Sequence, residues 1–250
     1  MGAAVVETGS RFSDRILQLL ERVEHRVART PSEKEAIYRL RYEAYIRNAL
    51  VEPRDDGRLY DDRYDEDPNS WITSTYIDGE LVATVRVNLG VGGKAVLPSL
   101  RVFSDVMSPH LRAGRTIADF TRAAARLEAS RRFPELPYIA LRPGYMAAEH
   151  CDADFAVVTP RAEHLAFYRR VFQFSAWSEA RSYPNVAPKV ICLGVDFHAL
   201  RDRVEARYPF FRSTAVEREA LFGPRGAAEA PCGATRAHRR FEARSRAGVR

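Results

Sequence analysis

The alternation of apolar and polar residues divides the chain into helix and strand segments. Residues 12–20 have the spacing of a short amphipathic helix, and residues 22–29 alternate as a strand does. The run TPSE at 30–33 predicts a helix start, because Thr30 and Glu33 can cap each other's backbone amides. Pro31 would occupy the first helical position, where no hydrogen bond is needed. We expect this helix to extend to about Asn48.

Residues 71–77 and 80–88 form a predicted β-hairpin. The connecting Asp78-Gly79 suits a type I′ turn, in which both residues take positive φ angles. In the second strand, Thr84, Arg86 and Asn88 fall on one face, opposite an apolar face. We expect the polar face to meet water or a ligand.

Strand-like and helix-like segments continue to alternate downstream. Residues 115–131 begin as a strand and become a helix. The remaining predicted elements are a helix (142–151), a strand (154–159), a helix (161–172), two strands (near 174–181 and 189–196) and a last helix (about 198–222) broken near Pro209. This order indicates an α/β or α+β single domain.

The positive charge is concentrated at one end of the chain. The 250 residues carry a net charge of +6, and seven arginines against two glutamates place +5 of it in residues 224–250. We therefore predict an N-terminal extension with a helix (1–21), a folded domain (22–222) and a basic disordered tail (223–250). The nearly neutral folded domain argues against nucleic-acid binding.

Cysteine and histidine usage gives no indication of a metal site. Cys151, Cys192 and Cys232 are scattered, which fits a reducing compartment, and the histidines lack the spacing of metal ligands. No stretch approaches the roughly 20 apolar residues of a membrane helix, and the N-terminus lacks the pattern of a signal peptide. We expect a cytoplasmic protein without metal or transmembrane segment.

Several charged residues stand where apolar ones are expected. Arg41 occupies an apolar position of the helix predicted at 30–48, and Arg86 interrupts the apolar strand LVATVRVNL. A buried guanidinium is costly unless a carboxylate or a ligand anion pairs with it. The long polar loop at 50–69 supplies candidates, of which Asp62 and Asp65 are the stronger and Asp61 the weaker. We infer one internal charged site, although such loops are usually solvated.

Asp119 and Arg122 form a second charged motif, in the segment predicted to begin as a strand. In a regular strand they would point to opposite faces, and in a helix they would make an ordinary surface pair. A β-bulge would bring them toward one face and aim a backbone N–H into the site.

Residues 166–174 (AFYRRVFQF) resemble the A-x-x-F-Y-x-x-x-G-F signature of GNAT-type N-acyltransferases, with Gln173 where glycine is usual. More widely, residues 22–200 resemble the long-chain N-acyl amino acid synthases and, more distantly, the acyl-homoserine-lactone synthases. The motifs that carry this resemblance are LRYEAY (40–45), YDDRYDEDPN (60–69), ATVRV (83–87), LPS with the later Phe103 and Met107 (97–107) and DFTR (119–122). It implies a GNAT-like single domain with a mixed central sheet and helices on both faces.

The resemblance also implies a function. A fatty acyl chain would pass from an acyl-carrier-protein thioester to the amine of an amino acid or similar small amine, without a bound cofactor. No clean [QR]-x-x-G-x-[GA] loop for coenzyme A is present, which favours the carrier protein over acyl-CoA. The implied catalytic residues are Asp62, Asp65, Asp119 and Tyr168, and the implied substrate-binding residues are Arg41, Tyr45, Arg86 and Arg122.

Chemistry suggests a role for each group. A carboxylate, Asp62, Asp65 or Asp119, must accept a proton as the amine attacks. Arg41 or Arg86 could hold an amino-acid carboxylate, and a strand amide near residues 117–121 could stabilise the oxyanion. Tyr168 would protonate the thiolate, as the resemblance implies. An apolar slot for the acyl chain could draw on Phe103, Phe120 and Phe155.

Two other functions stay open at this point. One is an acyl-homoserine-lactone synthase that uses S-adenosylmethionine, which is less favoured because Tyr60 or Asp61 stands where the resemblance would place a glutamate. The other is a non-catalytic acyl-carrier or nucleic-acid-binding module that uses the basic tail.

Overall fold

The computed structural model describes residues 3–223, with side chains from residue 11 onward. The helices are α1 (Ala3–Leu20), α2 (Pro31–Arg47), α3 (Asp62–Asp65), α4 (Leu100–Arg112), α5 (Leu127–Arg132), α6 (Leu136–His150), α7 (Leu165–Phe172), α8 (Phe197–Arg207) and α9 (Ala215–Phe222). The strands are β1 (Val23–Val27), β2 (Ser70–Ile77), β3 (Glu80–Val91), β4 (Thr116–Ala125), β5 (Phe155–Val158), β6 (Ser175–Ala176), β7 (Arg181–Tyr183), β8 (Val186–Val190) and β9 (Leu193–Asp196).

A seven-stranded mixed sheet organises the fold, in the order β1-β2-β3-β4-β5-β9-β6. Neighbouring strands run antiparallel except for β4 and β5, which pair in parallel. Strands β7 and β8 form a separate hairpin. The predicted α/β (α+β) class with a mixed central sheet is confirmed.

Helices cover both faces of the sheet, as expected. On one face, Val87, Ala118 and Val158 belong to the main apolar core together with residues of α6 and α8. On the other face, Ile117 packs with residues of α4, and Ile72 packs with residues of α2. The candidate site lies on this second face, in the strip of sheet between α2 and α4.

Local sequence signals account for the first elements. The Thr30 hydroxyl accepts from the amide of Glu33 at 3.3 Å, and the Glu33 carboxylate accepts from the amide of Thr30 at 2.9 Å, so the predicted capping box is present. Asp78 and Gly79 have φ angles of 52° and 81°, as a type I′ turn requires. Helix α2 and the hairpin are therefore confirmed.

Other elements differ from the predicted ones. Helix α4 was not predicted, because Pro109 interrupts its sequence and Phe103 departs from helical geometry. The loop at 50–69 contains the short helix α3, and α6 begins six residues earlier than predicted. The segments near 174–181 and 189–196 hold parts of four short strands, and a 3₁₀ turn at Pro209–Phe211 divides the predicted last helix into α8 and α9.

The ends of the chain bear on the predicted domain bounds. Ile16 and Leu19 of α1 are buried in the main core, so this helix packs on the domain that follows it. The predicted basic tail lies, from residue 224 onward, outside the described residues. Within residues 3–223, no helix is long and apolar enough to cross a membrane.

Gly194 on β9 is closely packed against the side chain of Trp177, so a substitution here tests the packing beside β9. A Cβ atom at this position would overlap the indole ring of Trp177, whereas one at Gly93 would meet nothing within 4 Å. We expect Gly194→Ala to lower the free energy of unfolding by about 1–3 kcal/mol, the usual cost of overpacking. Gly93→Ala is the matched control. Equal denaturation midpoints for the two variants would contradict this packing.

Candidate active site

A carboxylate shared by two arginines lies between α2 and the second face of the sheet. Asp65 ends α3, and its Oδ1 accepts from Nη1 of Arg41 on α2 at 2.9 Å and from Nη1 of Arg86 on β3 at 3.0 Å. All three residues are buried. The predicted convergence of distant guanidinium groups with an aspartate is therefore confirmed, and we call these residues the buried triad.

The buried triad keeps its carboxylate ionised. Burial alone would raise the pKa of Asp65, but attraction to Arg41 and Arg86 outweighs it, and the pKa lies below its usual value. Two guanidinium groups face one carboxylate, and Nε and Nη2 of Arg41 have no hydrogen-bond partner in the described part of the chain. Asp65 is thus a structural anion and a poor proton acceptor.

The polar face of β3 is buried rather than wet. Thr84, Arg86 and Asn88 are each at most 1% exposed. Asn88 donates from its amide to the carbonyl of Tyr64 at 3.0 Å, and Arg86 donates from Nε to Oγ1 of Thr121 at 3.1 Å. The loop that carries α3 is therefore held against β3 by several buried polar contacts.

A β-bulge interrupts the pairing of β3 with β4. Arg86 pairs with Thr121 and Thr84 pairs with Ala124, so Arg122 and Ala123 stand opposite a single residue of β3. Arg122 has a φ of 56°, in the left-handed region that residues other than glycine seldom adopt. Its guanidinium lies 5.6 Å from the centre of the Tyr45 ring. The predicted bulge is present and turns Arg122 toward α2.

Asp119 anchors α4 rather than pairing with Arg122. Its two carboxylate oxygens accept from the amide and the hydroxyl of Ser99 at 2.8 and 2.7 Å. Burial raises the pKa of Asp119 to about 6, against the opposing effect of the Ser99 hydrogen bonds and of Arg86. The carboxylate therefore fixes the start of α4.

A cavity of about 190 Å³ opens where β4 and β5 part. The parallel ladder between them ends at the pair Phe120 and Val158, while β4 continues along β3 to Ala125. Arginine and tyrosine side chains dominate the charged and polar lining. The cavity arginines are Arg86, Arg101, Arg122 and Arg161, and the cavity tyrosines are Tyr45, Tyr64, Tyr168 and Tyr183.

The lining includes half of the residues predicted for the site. Tyr45, Arg86, Arg122 and Tyr168 border the cavity, whereas Arg41, Asp62, Asp65 and Asp119 do not. Arg41, Asp65 and Asp119 are buried outside the lining, and Asp62 is exposed to solvent. The carboxylate that does line the cavity is Asp61, which sequence reasoning ranked as the weaker candidate.

Several polar residues of the lining were not predicted from sequence patterns, and Thr121 and Tyr183 illustrate why. Thr121 is recognisable only once the register places it opposite Arg86. Tyr183 lies on the separate hairpin and donates its hydroxyl to the carbonyl of Pro98 at 2.7 Å. Each of these two residues reaches the cavity through a contact with a residue distant in sequence, Arg86 for Thr121 and Pro98 for Tyr183.

A small apolar cavity of about 30 Å³ lies beside the first one. The two share Phe120, Val158 and Tyr168, and the remaining lining comes from side chains on the main-core face. We call this second cavity the apolar slot. Of the three phenylalanines predicted for such a slot, only Phe120 lines it, because Phe103 of α4 and Phe155 of β5 pack together in the cluster on the opposite face.

Tyr168 borders both cavities. Burial, with a further effect of the neighbouring Tyr45, raises the pKa of Tyr168 to about 12. The phenol therefore stays protonated near neutral pH. In the part of the chain that the structure describes, no three His, Cys, Asp or Glu side chains are grouped so that they could hold a metal ion.

Comparison with known proteins identifies the family. The model of the N-acyl amino acid synthase FeeM family matches residues 36–196. The chain belongs to this family. It is accordingly an acyltransferase, and its fold is GNAT-like, as expected. No curated protein matches the chain in sequence.

Solved structures of related enzymes share the fold. FeeM, an N-acyl amino acid synthase from uncultured soil microbes, is 16% identical, with a TM-score of 0.62 over 76% of this chain and 98% of that one. BjaI, a CoA-dependent acyl-homoserine lactone synthase, is 15% identical, with a TM-score of 0.51 over 80% and 98%. The synthase LasI is 13% identical, with a TM-score of 0.51 over 83% and 96%. At these identities the likeness shows the fold alone.

The buried triad contains two positive charges and one negative charge, which predicts that removing the carboxylate destabilises the protein more than removing one arginine. Asp65→Asn would leave two buried guanidinium groups without a carboxylate, and we expect a loss of about 3–5 kcal/mol in the free energy of unfolding. Arg41→Met should cost less, since Asp65 and Arg86 remain as a neutral pair. Denaturant titration measures both. A larger loss for Arg41→Met would contradict the structural role assigned to Asp65.

The raised pKa of Asp119 predicts a pH effect on stability. The folded state holds this proton more tightly than the unfolded state, whose pKa is about 4. Stability should therefore fall by about 2 kcal/mol as pH rises from about 4 to about 7. An asparagine side chain at this position cannot ionise but can still bond Ser99. Asp119→Asn should therefore gain about 2–3 kcal/mol relative to wild type between pH 4 and pH 7.5. A constant difference between the two proteins would exclude this effect.

Proposed function

We propose that this protein transfers a fatty acyl group from an acyl-carrier-protein thioester to the amine of an amino acid or a similar small amine. The observation that supports this most directly is the junction of the two cavities through Phe120, Val158 and Tyr168. Such an enzyme must hold a charged acceptor and an apolar chain on either side of one reacting carbon. A polar cavity bordering an apolar slot meets that requirement.

The acceptor would occupy the polar cavity. Arg122 stacks on Tyr45 and forms no ion pair with a carboxylate among the described residues, so its guanidinium is available to an amino-acid carboxylate. Arg86 also borders the cavity, although two of its nitrogens already bond Asp65 and Thr121. Arg41 lies outside the lining, so the alternative in which it binds the substrate has no support.

The first atoms of the acyl chain would enter the apolar slot, whose volume of about 30 Å³ would have to grow before a whole fatty chain fits. Its lining lies between the main-core face of the sheet, α6, α7 and α8, and is almost wholly apolar. With the chain there, the thioester carbonyl would lie near the end of the β4–β5 ladder. The bulge at Arg122 and Ala123 lies at this point, and its backbone N–H groups would be the donors to the developing oxyanion.

The reaction forms one bond and breaks another. The amine nitrogen attacks the thioester carbon, and the tetrahedral intermediate collapses with loss of the carbon–sulfur bond. The nitrogen must lose a proton, and the leaving thiolate must gain one. Tyr168, which stays protonated near neutral pH, is positioned to supply the second proton. It would recover its own proton from solvent.

The donor is proposed from charge. Carrier proteins are acidic, and exposed Arg101 at the cavity offers them complementary positive charge, whereas Arg161 is paired with Glu163 at 2.6 Å. Acyl-CoA is the alternative donor, since BjaI is described as CoA-dependent. A cytoplasmic location stays a prediction.

Product analysis tests the function. Lipid extracts from cells that express the full chain should contain new N-acyl amino acids by mass spectrometry, which would also identify the acceptor. Purified protein should then make the same product faster from acyl-carrier protein than from acyl-CoA at equal concentration. Deleting residues 224–250 should leave activity within twofold of wild type, whereas a module acting through its tail would lose its function.

Two results would contradict the proposal. Acyl-homoserine lactones formed from S-adenosylmethionine would favour the lactone synthase function, which the fold shared with BjaI and LasI keeps as the second candidate. The absence of any acylated amine with either donor would exclude the acyltransferase reaction as stated.

A further inference from the structure

Among the described residues that line the polar cavity, Asp61 is the only one with a carboxylate. We propose that Asp61 binds the ammonium group of the acceptor and takes its proton, a role for which the sequence favoured Asp62, Asp65 or Asp119. This inference rests on the acyltransferase function proposed above. It assigns the acceptor-side base of that reaction to one residue.

The backbone of Asp61 is fixed while its side chain is left unused. Asp61 precedes α3 as its N-cap, and its carbonyl accepts from the amides of Tyr64 at 3.0 Å and Asp65 at 2.8 Å. An aspartate at an N-cap ordinarily accepts a backbone amide with its side chain, but the Asp61 carboxylate makes no such bond. It also forms no ion pair within residues 3–223. A half-buried carboxylate without a partner thus faces the cavity.

The other acidic candidates are committed elsewhere. Both oxygens of Asp65 are occupied, Oδ1 by Arg41 and Arg86 and Oδ2 by the amide of Asp61 at 2.8 Å. Both oxygens of Asp119 bind Ser99. Asp62 is exposed and does not line the cavity. Asp61 therefore remains as the carboxylate that an acceptor in this cavity can reach.

The buried triad holds Asp61 in position. Arg41 and Arg86 fix Asp65, and Asp65 in turn fixes the backbone amide of Asp61. This gives the buried charges a function that requires no contact with substrate, since they set the base against the cavity. Arg122, on the same cavity, can take the acceptor carboxylate while Asp61 takes the ammonium, so that a free α-amino acid is bound at both of its charges.

The proton balance follows from this arrangement. The bound ammonium gives one proton to Asp61, and the resulting amine attacks the thioester carbon. As the carbon–nitrogen bond forms and the carbon–sulfur bond breaks, the second proton leaves the nitrogen and the thiolate gains a proton from Tyr168. The products are the amide, a free thiol and one proton released to solvent, with no oxidant or reductant required.

A pH-dependence experiment on Asp61 needs a pH range in which the other titratable groups of the cavity do not change their charge. The cationic side chains that border the cavity are Arg86, Arg101, Arg122 and Arg161. Burial and the neighbouring Arg161 lower the pKa of His164, so this side chain is neutral from pH 7 upward. Tyr168 and Tyr183, whose pKa values burial raises, stay protonated to pH 9. Tyr45 and Tyr64 complete the titratable lining.

The experiment compares Asp61→Asn with Asp55→Asn, an exposed residue of the same loop that lies outside the cavity. Initial rates are measured with purified full-length protein, acyl-carrier protein and the acceptor identified by mass spectrometry, from pH 7 to pH 9. At pH 7 we expect Asp61→Asn to lower kcat/KM by at least about 100-fold, with Asp55→Asn within twofold of wild type. The Asp61→Asn defect should shrink as pH rises, because more of the amine is then uncharged without help.

A binding measurement separates this inference from the proposed function. Calorimetric titration with glycine, leucine and phenylalanine requires no turnover, and Asp61→Asn should weaken the binding of whichever probe binds by at least about tenfold. If wild type transfers no acyl group, the proposed function fails, while Asp61-dependent binding still supports the ammonium site. Activity above half of wild type in Asp61→Asn, a defect independent of pH, a comparable loss confined to Asp62→Asn, or no probe binding to wild type would each overturn the assignment.

Discussion

One shared negative charge ties the functional half of this protein together. The carboxylate of Asp65 joins α2 through Arg41 and β3 through Arg86, and its second oxygen holds the amide of Asp61. The two arginine contacts connect elements far apart in sequence and are buried, and the third is partly buried. Breaking such a buried charge pair is costly, because the remaining guanidinium groups would have no alternative partner. The position of the loop between α2 and β2, and with it the cavity wall, depends on this ion.

The course of β4 determines where the polar cavity opens. Along its first half β4 is paired on both sides, and beyond Phe120 it is paired only with β3. The bulge follows immediately and brings Arg122 to the face that carries Arg86. An irregularity in the pairing and the end of a ladder thus coincide with the cavity. A regular strand of the same sequence would send Arg122 to the opposite face, away from Tyr45.

Local interactions were predictable from the sequence, whereas most non-local placements were not. The capping box of α2 and the Asp78-Gly79 turn depend on neighbouring residues, and both were predicted correctly. Arg41 and Arg86 were recognisable as buried because each interrupts an apolar pattern. By contrast, the choice among Asp61, Asp62 and Asp65 depends on the orientation of a four-residue helix, which no periodicity encodes. Tyr183 and Thr121 reach the cavity through strand pairing and hairpin placement, which only the assembled fold defines.

The wall between the polar cavity and the apolar slot is one side chain thick at Phe120 and Tyr168. Because Phe120 and Tyr168 line both cavities, a movement of either side chain that changes one cavity also changes the other. A molecule bound in the apolar slot would therefore also change the shape of the polar cavity. With the proposed acceptor and acyl chain in the two cavities, each would change the affinity for the other by the same factor. Selectivity would then belong to the pair of ligands rather than to either one.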